Sequence, residues 1–137
     1  MRTEVDPILL EVFRNAFETI ADQMALILMR TAHSPIVRDA MDFSTALCDV
    51  SGRNLAQGLT TPMHLGSFYD AMRHLIGQYG DAIAPGDVFI GNDPYLASGQ
   101  HLPDIYVIRP IFHAGRPCAY AATIAHHVDV GGLVPGS

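Results

Sequence analysis

The chain has 137 residues, 49% of them apolar, and a formal net charge of −6. That length suits one domain, which at this size buries roughly two-thirds of its unfolded surface. The acidic balance excludes the basic stripe that nucleic acid requires. All eight basic residues are arginines, which excludes a Schiff-base lysine, a phosphate-loop lysine and a polylysine arm.

Asp6-Pro7 predicts a helix start, because Asp caps free N–H groups and Pro fits the first turn. Leu9, Phe13, Phe17, Ile20, Met24 and Leu28 recur at helical spacing and predict a core-facing stripe. Glu11, Arg14, Glu18 and Asp22 supply the wet face, and the pattern ends between Thr31 and Pro35. The segment before it, Met1 to Pro7, lacks the pattern of a signal peptide, and Met24–Met29 is too short to span a bilayer. A cytoplasmic location is therefore expected.

Phe43–Cys48 reads as a strand, Asp49-Val50-Ser51-Gly52-Arg53 as a turn, and Leu55 onward as the return. Residues 58–64 read as loop. A second helix begins near Ser67, buries Phe68, Met72, Leu75, Ile76 and Tyr79, and stops at Gly80. Asp87–Gly91 is a short strand, and Asn92–Gln100 an irregular loop. Ile105–Phe112 and Cys118–Ala125 form a hairpin around His113-Ala114-Gly115-Arg116. The order predicts an α+β fold in a single domain, residues 1–137. The Gly-Pro-Gly-Ser ending directly after the most chemically loaded segment is expected of a partial chain. Cys48 and Cys118 form no CxxC pair and read as reduced, buried small hydrophobes.

The chemistry concentrates in the second half. If the last two strands pair antiparallel, His101, Asp104 and His126 meet at one end of the hairpin. Asp42, at the start of the first hairpin, completes a set of two imidazoles and two carboxylates, which suits Zn, Mn or Fe. The plainer alternative is that HxxD marks ordinary hydrogen-bonded strand-end residues. His127 follows His126 and points to the opposite face, so one of the pair is a ligand and the other outer or structural. Asn92-Asp93 is either a tight Asx turn or a loop lining the pocket. The segment around His64 has two readings, plain loop or approach to the site.

The runs "RDAMDFSTALCDVSGRNLAQG", "GNDPYLASGQHLPDIYVIRPIF" and "AHHVDVGGLVPGS" resemble the hydantoinase B/5-oxoprolinase family, and the opening helix looks like that family's N-terminal helix. The resemblance implies an N-terminal portion of a larger metal-binding subunit of an ATP-dependent cyclic-amide hydrolase. Its substrate would be hydantoin, 5-oxoproline or a similar lactam, and a hydantoinase A-type partner would bind the ATP. Acetone and acetophenone carboxylases are relatives, so the same subunit in a carboxylase is the alternative, and a non-catalytic truncated chain a third reading. Matched by motif, the metal ligands fall on Asp42, His101, Asp104 and His126. No protein side chain is assigned as the catalytic group; a water activated by the cation fills that role. His127 and Asp129 are expected to orient ligands, and Asn92 and Asp93 to line the pocket. Where the family usually reads Gly-Gly-Thr before HLPD, this chain has Ala97-Ser98-Gly99-Gln100.

Overall fold

The computed structural model describes residues 5–64, 66–96 and 100–134. Residues 1–4, Leu65 of the His64 segment, loop residues 97–99 and residues 135–137 lie outside that description. Helix α1 spans Pro7–Thr31 and a single turn, α2, spans Pro35–Arg38. Strands β1 (Phe43–Cys48) and β2 (Asn54–Gln57) form the first hairpin. A 3-10 turn at Pro62–His64 leads into α3 (Ser67–Tyr79). Then come β3 (Phe89–Gly91), β4 (Asp104–His113) and β5 (Arg116–His126). The fold is α+β. One antiparallel sheet in the order β2-β1-β5-β4-β3 carries α1 on one face and α3 on the other.

The local signals act as expected. The Asp6 carboxylate accepts the Ile8 N–H at 2.9 Å, and Pro7 opens α1. Gly80, at φ 30°, ends α3. The turn of the last hairpin takes positive φ at both central residues, Ala114 at 49° and Gly115 at 77°. That twist matches the right-handed twist of the flanking strands.

The α3 face of the sheet holds the larger core. Phe68, Ala71, Met72 and Leu75 pack on Ala46, Cys48, Tyr106, Ile108, Tyr120, Ala122 and Ile124. Phe68 meets Tyr106 edge-on at 5.9 Å. On the α1 face, Ala25 and Val37 pack on Phe43. With a helix on either side, every residue of β1 is buried.

The stripe expected on α1 is corrected. Leu9 and Phe13 are each 51% exposed and Ile20 is 44% exposed, while the buried residues of the helix are Ala21 and Ala25. Phe17, Met24 and Leu28 are half-buried. The cause is close approach: methyl side chains let the helix backbone come within hydrogen-bond reach of β1, where the Thr45 hydroxyl donates to the Ala21 carbonyl at 2.9 Å. The expectation for the cysteines holds for Cys48, which is buried, and fails for Cys118, which is exposed on β5. Among the described residues, no helix is long and apolar enough to cross a membrane.

Candidate metal centre

Three strands deliver the candidate residues to one end of the sheet. Asp104 opens β4 and pairs in register with His126, the last residue of β5. Phe43 pairs with Ala125, so Asp42 sits just beyond the start of β1, where its carbonyl accepts the His126 N–H at 3.1 Å. The turn before Asp42 is tight. Met41 takes φ 55°, Asp42 N–H reaches the Ile36 carbonyl at 3.1 Å, and Phe43 N–H reaches the Met41 carbonyl at 2.8 Å. A left-handed non-glycine residue costs on the order of 1–3 kcal/mol and is maintained only where surroundings enforce it. Here Thr61 adds a hydroxyl bond to the Met41 carbonyl at 2.9 Å.

The HLPD run is a turn closed by Asp104 N–H on the His101 carbonyl at 3.0 Å. It brings the His101 ring back over the Asp104 carboxylate, with Nδ1 2.9 Å from Oδ2. The other oxygen, Oδ1, lies 3.4 Å from His126 Nδ1. The two imidazoles stack at 4.8 Å between centroids. One donor atom from each of His101, Asp104 and His126 falls within 4.8 Å of the others.

A fifth residue enters this arrangement. His64, at the end of the 3-10 turn, is 1% exposed. Its Nε2 lies 3.8 Å from Asp42 Oδ1 and 3.8 Å from Asp104 Oδ1. Neither Asp42 nor His64 is one of the 4.8 Å group; His64 touches it at Asp104 and lies between Asp104 and Asp42. Of the two open readings for His64, the structure gives approach to the site. Its local signal, a Pro-initiated turn, says nothing about where the ring goes.

The electrostatics are unbalanced as the residues stand. Asp42 Oδ1 and Asp104 Oδ1 are buried without a hydrogen-bond partner among the described residues. Asp104 is 1% exposed. A buried carboxylate oxygen without a donor is costly, and native proteins supply a donor, water or cation. Two carboxylates and converging imidazole nitrogens fit a borderline divalent cation, whose ligand bonds of about 2.0–2.2 Å hold donors a few ångströms apart.

The remaining predicted residues have local partners. His127 is exposed, with Nδ1 3.1 Å from the Ala125 carbonyl, while its N–H binds the Pro103 carbonyl at 2.8 Å. Asp129 is exposed and accepts the Gly131 N–H at 2.8 Å. Asp93 Oδ1 accepts the Tyr95 and Leu96 N–H groups, the tight Asx turn. Asn92 donates to the Leu102 carbonyl at 2.9 Å and ties its loop to the HLPD turn.

Residues 6–137 match the family model described as hydantoinase B/oxoprolinase. The chain is 39% identical over 135 residues to 5-oxoprolinase of Dictyostelium discoideum, covering 98% of this chain and 11% of that protein. It is 40% identical to caprolactamase subunit beta of Pseudomonas jessenii, covering 96% of this chain and 22% of the subunit. The crystal structure of the ATP-dependent caprolactamase superposes with a TM-score of 0.87 at 40% identity, over 97% of this chain and 23% of that one. A nucleotide-free acetone carboxylase structure superposes with a TM-score of 0.86 at 25% identity, over 96% and 18%. The chain thus spans between a tenth and a quarter of the length of these relatives.

Proposed function

Because the chain belongs to the hydantoinase B/oxoprolinase family, we propose that it forms the metal-binding portion of an ATP-dependent enzyme that hydrolyses a cyclic amide such as 5-oxoproline, a hydantoin or a lactam. The observation that carries this reading is the convergence of His101, Asp104 and His126 around a buried carboxylate oxygen that lacks a donor. Asp42, His101, Asp104 and His126 hold the cation, which is Zn, Mn or Fe. When bound, it supplies Lewis acidity toward the oxygen of the activated amide. Asp104 acts as the pivot: one oxygen orients the His101 ring, and the other lies against His126 and His64. The tight turn at Met41 and the His126 N–H bond fix the backbone of Asp42. His127 and Asp129 line the approach to His126, and Asn92 and Asp93 hold the loop beside the HLPD turn.

ATP chemistry belongs to a hydantoinase A-type partner subunit. Two features support that division: no lysine is present to cradle a nucleotide phosphate, and the caprolactamase relative is a named beta subunit. The likeness to acetone carboxylase supports a second reading, carbon–carbon bond formation at the same site. Identity of 40% to caprolactamase against 25% to the carboxylase favours amide hydrolysis.

The test is elemental analysis of protein purified without chelator, wild type beside His101→Ala. About one Zn, Mn or Fe per chain, lost in the variant, is expected. A folded wild type with no metal overturns the reading. With the A-type subunit and ATP present, a ring-opened amino acid formed from a lactam selects the hydrolase, and a carboxylated product from a ketone and bicarbonate selects the carboxylase.

A further inference from the structure

The hydrogen bonds behind His64 determine which of its nitrogens carries the proton. Ser44 is 1% exposed, and its Oγ lies 3.1 Å from the Thr61 carbonyl. A carbonyl only accepts, so the single hydroxyl proton of Ser44 points to Thr61. The same Oγ lies 3.2 Å from His64 Nδ1 and can serve that nitrogen only as an acceptor. In the neutral ring, Nδ1 therefore bears the proton and Nε2 bears a lone pair.

Nε2 lies 3.8 Å from both Asp42 Oδ1 and Asp104 Oδ1, beyond hydrogen-bond reach. Three electron-rich atoms thus face one another in a buried space, two of them lacking any donor among the described residues. A histidine that merely fills the core has both nitrogens satisfied, whereas here the protein specifies the tautomer that turns an acceptor toward two anions. The spacing is near that of two donors on one divalent ion.

We propose that His64 is a further ligand of the cation assigned under the proposed function, its Nε2 held in ligating form by the Thr61–Ser44 relay. The inference rests on that metal-binding reading. It raises the donor set from four residues to five, joins Asp42 to the His101–Asp104–His126 group, and exceeds the four ligands of a tetrahedral structural zinc site. The relay behind the ring is the arrangement by which metal-bound imidazoles are oriented in general.

The test has two parts on the 137-residue chain. First, 15N NMR of the metal-free wild type at neutral pH reports the His64 tautomer. A protonated Nδ1 with a bare Nε2 is expected, and a proton on Nε2 overturns the proposal. Second, the Kd for Zn(II) is measured by chelator competition, and the visible spectrum with Co(II), for wild type, His64→Leu, Ser44→Ala and His101→Ala. His64→Leu is expected to raise Kd by about 10- to 100-fold and to shift the Co(II) bands toward lower coordination. Ser44→Ala keeps the ring and loosens it, raising Kd by about tenfold; it carries the test if His64→Leu does not fold. If His101→Ala abolishes binding while His64→Leu and Ser44→Ala leave Kd and spectrum unchanged, the His64 assignment is overturned alone. If none of the three changes Kd, the cation site itself falls.

Discussion

Thr45 donates its hydroxyl to the carbonyl of Ala21 across 2.9 Å, joining the middle of β1 to the backbone of α1, and both residues are fully buried. The contact leaves no room beside it. Gly58 bonds the Thr45 carbonyl through its N–H at 3.0 Å, and a Cβ there would lie 2.2 Å from Thr45 Oγ1 and 2.6 Å from the Ala21 oxygen.

Gly58→Ala is therefore expected to destabilise the chain by about 2–3 kcal/mol, in the upper range for overpacking. Urea unfolding at constant m-value measures this. A loss below about 0.5 kcal/mol would mean that α1 shifts freely on the sheet.

The two helices differ in how much of their apolar surface the sheet covers. Phe68 on α3 is fully buried against Tyr106, whereas Phe13 on α1 is 51% exposed. Phe68→Ala should cost about 3–5 kcal/mol, and Phe13→Ala under about 1 kcal/mol. Equal costs in denaturant titrations would contradict the exposure of the first half of α1.

Burial, assisted by the neighbouring Asp49 carboxylate, pushes the Cys48 thiol from 9.0 up to about 11. The folded state thus favours the protonated thiol. Below pH 9 both states are protonated and stability is unaffected. Above it the unfolded thiol ionises first, so stability falls as the pH rises from about 9 to about 11. At about 1.4 kcal/mol per pKa unit the loss approaches about 3 kcal/mol. Unfolding free energies across that window should drop more steeply in wild type than in Cys48→Ala; parallel curves would remove Cys48 as the cause.

What was legible in the sequence was local. Asp6-Pro7, the Gly52 turn, Gly80 and Ala114-Gly115 each announce a helix end or a turn by backbone chemistry, and the structure uses all four. On α1, periodicity reports an apolar face without saying which neighbour covers it. The contact instead runs through Ala21 and Ala25, whose small size is a weak sequence signal. Asp104 and His126 were legible as strand-end residues, and the hairpin brings them face to face. The placement of His64 was not, because it depends on β1 presenting Ser44 to a turn some twenty residues downstream. No local pattern encodes such a meeting.

The β4–β5 hairpin carries one irregularity with a long reach. Near its tip Phe112 pairs with Pro117, but Ile111 pairs with Ala119, leaving Cys118 without a counterpart. Were the tip's pairing continued unbroken, Asp104 would stand opposite Ala125, and His126 would turn to the α1 side of the sheet. The spare residue at 118 acts as a reading-frame correction, made about 25–30 Å of strand away from the site it serves. Deleting Cys118 itself would keep Ile111 opposite Ala119 and Asp104 opposite His126, whereas deleting a paired residue between there and the site would slip the register and dismantle the centre while every one of its side chains remained in the chain.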